Sequence, residues 1–249
     1  MRFSDFSRKG LMIGIVVVLI ALCLPCGLPA YDFSGWSRGA SGHEEALKEA
    51  MNEGKPLIVY FWADWCKWCR RLNSQYLASS EVERFLSEIP RVQIEPDKGS
   101  AEKELSRKHG VTGYPTFLVS VPSLGKGPGD RLHPFRGGKE LSVKEFLREM
   151  QTAIARKYTD KAYASYKSKN YDEAVDYYGA AIAYDEENAY AYYGLGAVYY
   201  AMAYQKKDVD LLKEAEGYWE RALEIDPKHA ASKAELERLR RAMKELGAK

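Results

Sequence analysis

Two cysteines separated by two residues are the part of this sequence best suited to chemistry. Cys66 and Cys69 closely follow the short apolar, β-branched and aromatic run 57–62, which predicts a buried strand. A helix-compatible segment begins at Lys67, so Cys66 lies at a predicted helix N-terminus. The helix dipole and the nearby lysine both favour a thiolate there, and a thiolate attacks disulfide bonds or binds metals.

A zinc site is the alternative to redox chemistry. A structural zinc ion needs four ligands. The other two cysteines, Cys23 and Cys26, lie in the hydrophobic N-terminal segment, where they read as small apolar residues. The four histidines are scattered without ligand spacing. The sequence therefore favours redox chemistry at Cys66 and Cys69, and it predicts no metal and no bound cofactor.

A second motif, Gly113-Tyr114-Pro115-Thr116, follows some fifty residues later. Together with the Trp-Cys-Lys-Trp-Cys run 65–69 it resembles the active site of the thioredoxin family, whose WCxxC motif is paired with a cis proline. The resemblance implies that Pro115 is cis and that Tyr114 offers its backbone to an extended substrate. It also implies that Cys66 attacks and that Cys69 resolves the mixed disulfide.

The residues around the cysteines depart from thioredoxins proper in two ways. Trp65, Lys67 and Trp68 are expected to shape the surface that positions the substrate, whereas thioredoxins proper have Gly-Pro between the cysteines. The buried acid expected six residues before the first cysteine is replaced by Tyr60. A tyrosine has a pKa of about 10 and supplies no carboxylate at neutral pH. The sequence therefore leaves both a reductase and an oxidase or isomerase open.

Residues 1–30 have the pattern of an export signal. Arg2, Arg8 and Lys9 precede the uncharged run 11–24, and proline and glycine then break it. Cleavage after this segment predicts an exported protein, periplasmic in a Gram-negative bacterium. Retention of residues 11–24 as a membrane anchor is the alternative, although a full span needs about 20 residues. Without the segment the net charge is near zero, so nothing indicates nucleic acid as a partner.

The chain of 249 residues is long enough for two domains. Residues 31–157 alternate helix and strand, which predicts an α/β thioredoxin fold with a central mixed sheet flanked by helices. The predicted helices are 42–52, 67–77, 80–87, 100–109 and 142–157, and the predicted strands are 57–62, 91–95, 116–121 and 131–135.

Residues 158–249 predict an all-α repeat domain. Small and aromatic residues recur there as in tetratricopeptide (TPR) repeats, in copies at about 158–188 and 189–227, followed by a charged capping helix. Small residues let paired helices approach each other, and aromatic residues fill the gaps. A plain helical hairpin bundle is the alternative. Tyr192 and Tyr199 are predicted to lie on a concave face that binds a protein or peptide.

The sequence as a whole predicts an exported thiol–disulfide oxidoreductase with a TPR module for partner binding. Its substrates would be protein thiols and disulfides, and another dithiol protein would supply or accept the electrons. The alternative is a TPR scaffold or assembly protein in which the thioredoxin-like domain is mainly structural. An intact CxxC beside an intact Gly-Tyr-Pro-Thr segment argues against that alternative.

Overall fold

The computed structural model of the chain describes residues 31–125, 127, 129–136 and 139–247. The predicted export signal, residues 1–30, lies outside the described residues. Within the described part, no helix is both long and apolar enough to cross a membrane.

A five-stranded mixed sheet forms the centre of the first half of the molecule, with strands in the spatial order β1-β3-β2-β4-β5. β1, β3 and β2 run parallel to one another; β4 is antiparallel to β2, and β5 is antiparallel to β4. A short hairpin, β6–β7, follows the sheet. The strands are β1 Ser37–Arg38, β2 Leu57–Phe61, β3 Arg91–Ile94, β4 Thr116–Ser120, β5 Asp130–Leu132, β6 Phe135–Arg136 and β7 Lys139–Glu140.

Every residue of the central strand β2 is buried, because helices cover both faces of the sheet. Val59 and Phe61 point into the cluster beneath α1, and Ile58 and Tyr60 point to the opposite face, toward α2 and α5. The helices of this half are α1 Gly39–Glu53, α2 Lys67–Arg71 with a π-helical continuation Leu72–Leu77, α3 Ser80–Ser87, α4 Ser100–Lys108 and α5 Val143–Lys167. The predicted thioredoxin fold is therefore confirmed.

One helix, α5, belongs to both halves of the chain. It begins with a capping box in which the Ser142 hydroxyl and the Glu145 carboxylate each accept a backbone N–H of the other residue. It then runs unbroken to Lys167, through the boundary predicted between residues 157 and 158. No proline or glycine interrupts it, so its first part covers the sheet and its last part pairs with α6.

Tyr158 connects the two halves at the end of the sheet where β2 begins. Its hydroxyl donates a hydrogen bond to the carbonyl of Gly54, with an O···O distance of 2.6 Å. Its ring stacks on Tyr184 of α6, at a centroid distance of 5.5 Å. The apolar cluster is continuous from the sheet through α5 and α6 to α7. The helical repeats are therefore attached to the sheet by a shared core.

The second half consists of helices that each pack against the next one in the chain. Relative to the first copy, the second has about seven extra residues, 204–210, between its helices. The first three of them extend α7 to Lys206, and the last, Asp210, begins α8. The helices are α6 Tyr171–Tyr184, α7 Ala189–Lys206, α8 Asp210–Ile225 and α9 Ala230–Gly247.

Two glycines in the repeats are expected to respond oppositely to alanine. A Cβ on Gly196 would overlap the buried indole of Trp219, whereas a Cβ on the exposed Gly217 would have nothing within 4 Å. We expect Gly196→Ala to lower the free energy of unfolding by about 1–3 kcal/mol through overpacking. Gly217→Ala should raise it by up to about 1 kcal/mol through helix propensity. Urea denaturation measures both, and equal shifts would contradict this packing.

Candidate active site around Cys66 and Cys69

Cys66 and Cys69 lie just beyond the carboxyl end of β2 and are joined by a disulfide bond. Cys66 is the N-cap of α2, and its sulfur accepts a hydrogen bond from the backbone N–H of Cys69 at 3.1 Å. Cys66 is 5% exposed and Cys69 is completely buried. Of the two cysteines, only Cys66 has any surface that a partner could approach.

The Gly-Tyr-Pro-Thr segment lies beside the disulfide. The Tyr114–Pro115 peptide bond is cis, as the resemblance implied. Pro115 directly precedes β4, whose first residue, Thr116, pairs with Phe61 at the end of β2. Tyr114 packs against the small cluster that contains both cysteines. Antiparallel pairing of β2 with β4 therefore brings the two sequence motifs together.

Two exposed indoles flank Cys66. Trp65 is 69% exposed; its Nε1 donates a hydrogen bond of 2.8 Å to Asp97, and its ring lies 5.9 Å from that of Tyr114. Trp68 is 47% exposed, and its ring centroid lies 4.9 Å from that of Phe135 in β6. Each indole is therefore held on one side and open to solvent on the other.

The polar groups buried beneath this surface are neutral. Tyr60 is completely buried, and its hydroxyl donates a hydrogen bond of 2.9 Å to Oδ1 of Asn73. Burial raises the pKa of Tyr60 well above its ordinary value. Gln93, also buried, accepts a hydrogen bond from the indole of Trp62. Tyr60 therefore provides no base at the position where thioredoxins proper carry an acid.

Three charged residues that follow β3, Glu95, Asp97 and Lys98, lie beside the segment that leads to Cys66, and sequence reasoning did not select them. Lys98 forms ion pairs with Asp64 at 3.1 Å and with Glu95 at 3.7 Å. Asp97 accepts the hydrogen bond from the indole of Trp65. Burial and the Asp64 charge raise the pKa of Glu95, against the effect of Lys98. The sequence could have indicated these residues, because β3 is parallel to β2 and the carboxyl ends of parallel strands share one edge of the sheet.

Among the described residues, no three metal-binding side chains are grouped.

Tyr192 and Tyr199, predicted to lie on a concave binding face, contact the helix that follows α7. Both face α8, where the Arg221 guanidinium lies 5.8 Å from the Tyr192 ring centroid and Tyr218 lies 5.1 Å from Tyr199. Both half-buried tyrosines take part in the packing between the paired helices α7 and α8. A partner-binding role for Tyr192 and Tyr199 stays a prediction.

Other tyrosines of α7 form the exposed aromatic surface. Tyr190 and Tyr204 are 69% and 64% exposed. Burial raises the pKa of Tyr193, and the nearby Glu235 of α9 and Tyr166 and Tyr163 of α5 raise it further. Side chains of α5, α7 and α9 therefore lie near one another on this face. We call this surface the tyrosine face; it consists of Tyr163, Tyr166, Tyr190, Tyr193, Tyr200 and Tyr204.

Family models match both halves of the chain. A thioredoxin-like domain model matches residues 43–123, which include both cysteines and the cis proline, and a TPR repeat model matches residues 162–202. The TPR match covers the end of α5, all of α6 and most of α7.

Several known proteins resemble part of the chain. The disulfide bond reductase DsbH of Chlamydia pneumoniae is 31% identical over 94 residues, which are 34% of this chain and 56% of that protein. The chloroplastic thioredoxin-like protein HCF164 of Oryza sativa subsp. japonica is 34% identical over 118 residues, 46% of this chain and 41% of that protein. A solved thioredoxin from Thermus thermophilus is 27% identical, covers 47% of this chain and 85% of its own, and has a TM-score of 0.37.

The matched segments span little more than half of the length of DsbH and less than half of that of HCF164. The two family models match separate segments, one that includes β2–β4 and one in the helical second half. The chain thus joins a thioredoxin-like domain, with its CxxC pair at Cys66 and Cys69, to a TPR repeat.

Proposed function

We propose that this protein is a thiol–disulfide oxidoreductase that uses Cys66 and Cys69 as its redox couple. The observation that carries the proposal is the position of Cys66 at the start of α2, beside the cis peptide bond and bonded to Cys69. The backbone N–H of Cys69 and the N-terminal end of the helix both favour a thiolate at this position.

In the reducing direction, the Cys66 thiolate attacks one sulfur of a partner disulfide. The partner S–S bond breaks, and the released partner sulfur leaves as a thiolate that takes up a proton. Cys69 then attacks Cys66, which releases the second partner thiol. The partner gains two electrons and two protons, and Cys66 and Cys69 end as a disulfide. Another dithiol protein restores the reduced pair by the same chemistry, and the oxidising direction is the reverse.

The proton of Cys69 has no buried carboxylate to accept it at position 60, since Tyr60 is neutral and already donates to Asn73. We therefore propose that the departing partner thiolate takes this proton directly or through water. This assigns Tyr60 to packing and orientation rather than to proton transfer.

We propose that the TPR module binds a protein or peptide partner at a distance from the cysteines. Tyr158 attaches the module to Gly54, before β2 begins, whereas Cys66 follows the other end of that strand. A strand of five residues spans about 15 Å. The tyrosine face offers exposed aromatic area and hydroxyl groups, which suit protein recognition.

We also propose that the mature protein acts after export directed by residues 1–30. The basic start, the uncharged run and the break after it support this. Fractionation of cells that express the full chain, with a cytoplasmic and an exported marker protein, tests the compartment. Recovery with the cytoplasmic marker alone would overturn the proposal.

Reduction of a generic protein disulfide by a small thiol tests the oxidoreductase proposal. We expect the full chain to accelerate this reaction, and Cys66→Ser to return it to the uncatalysed rate because the attacking sulfur is lost. Turbidity of a protein that precipitates when its disulfides are reduced provides the assay. Equal rates with and without the wild-type protein would contradict the proposal.

A further inference from the structure

Arg71 connects the helix that carries the cysteines to the β6–β7 hairpin. Its guanidinium contacts Glu140 of β7, with an N···O distance of 2.6 Å. The same group lies 5.7 Å from the ring centroid of Trp68 and 5.7 Å from that of Phe135 in β6. One side chain therefore contacts the tryptophan between the cysteines and both strands of the hairpin.

The carboxylate of Glu140 is in turn oriented by Tyr76. The hydroxyl of the buried Tyr76 lies 3.0 Å from one carboxylate oxygen of Glu140 and 2.6 Å from the carbonyl of Leu141. The other carboxylate oxygen is the one that contacts Arg71. The two charged side chains of the pair are 39% and 37% exposed, and such pairs contribute little to stability. The contribution of this network is therefore mainly orientation of the guanidinium and of the rings beside it.

The oriented rings form an apolar surface next to Cys66. Trp68 and Phe135 lie 4.9 Å apart, and Trp68 keeps 47% of its surface open to solvent. An indole that is fixed on one side and open on the other resembles an aromatic anchor in a binding interface. Fixing it before binding reduces the entropy that a partner must overcome.

We propose that Arg71 is a positioning residue that holds Trp68 and Phe135 as a wall beside Cys66. This wall selects partner segments that carry an aromatic side chain next to the disulfide to be exchanged. The selection acts on binding through the two rings, and Arg71 touches neither sulfur. The proposal rests on the oxidoreductase function above, because it concerns the choice of substrate for the same cysteines.

Two disulfide-bonded peptides that differ only in the residue beside one cysteine, phenylalanine or serine, test the proposal. We expect the wild-type protein to show a KM about tenfold lower for the phenylalanine peptide. Arg71→Gln should reduce this preference to about twofold or less, by raising the KM for the phenylalanine peptide rather than by lowering kcat. Glu140→Gln is the second variant and should act in the same direction.

Arg70→Gln is the matched control, since it removes a positive charge from the same helix without touching the wall. It should keep the tenfold preference. The proposal would be overturned if both Arg71→Gln and Glu140→Gln retained the preference. It would also be overturned if the wild-type protein showed no preference. A lower melting temperature with the preference intact would assign Arg71 to stability alone and overturn it too. Failure of the wild-type protein to turn over either peptide would instead contradict the oxidoreductase function.

Discussion

Cys69→Ser in the full chain is expected to accumulate mixed disulfides with partner proteins, and Cys66→Ser is not. Cys66 is the N-cap of α2 and the less buried of the two cysteines, so we expect it to attack first. Without Cys69, residues 31–249 contain no second thiol to resolve the intermediate, because the other two cysteines, Cys23 and Cys26, belong to the predicted export signal. Electrophoresis without reductant, followed by mass spectrometry of the adducts, measures the effect. Adducts formed through Cys69 in Cys66→Ser would reverse the assignment.

The same experiment tests the role of the repeats. In the Cys69→Ser background, Tyr190→Ala with Tyr204→Ala should lower the yield of trapped partner several-fold, because both exposed rings belong to the tyrosine face. Met51→Ala, which removes an exposed side chain from α1, is the control and should leave the yield unchanged. An unaltered yield in the double tyrosine variant would mean that this face does not choose the partner.

Acidification from pH 6.5 to pH 4 is expected to destabilise the fold through His43. This histidine is 8% exposed in α1, and its ring lies 5.5 Å from that of His109. Burial, followed by the charges of His109 and Lys108, lowers the pKa of His43 from 6.5 to about 4. In this pH window the unfolded chain binds a proton that the folded chain does not, so the free energy of unfolding decreases as the pH falls.

The expected loss is about 3 kcal/mol by pH 4, with little further change from this residue below that value. Urea unfolding between pH 4 and pH 7 measures it. The free energy of unfolding of His43→Leu should depend less steeply on pH than that of the wild type. The two proteins contain the same carboxylates, so the difference between their slopes reports on His43. Identical slopes for wild type and His43→Leu would contradict the assignment.

Local pattern was enough to predict the elements that carry the cysteines. The apolar run that forms β2, the helix after Cys66 and the helix Ser80–Ser87 each depend on residues close together in the chain. The cis bond before Pro115 was implied by the motif around it. The spacing of the cysteines likewise predicted their chemistry before any contact was known. These features are local because backbone periodicity and helix termini are set within a few residues.

Contacts between distant residues decided the rest. The two-residue strands β6 and β7 are too short to show alternation, so the hairpin that meets Arg71 could not be predicted. The continuation of α5 through residue 157 depends on packing against both the sheet and α6. Which tyrosines of α7 are free for a partner depends on where α8 and α9 lie. A helix with aromatic residues on every side carries no signal of its buried face, and only the neighbouring helices decide it.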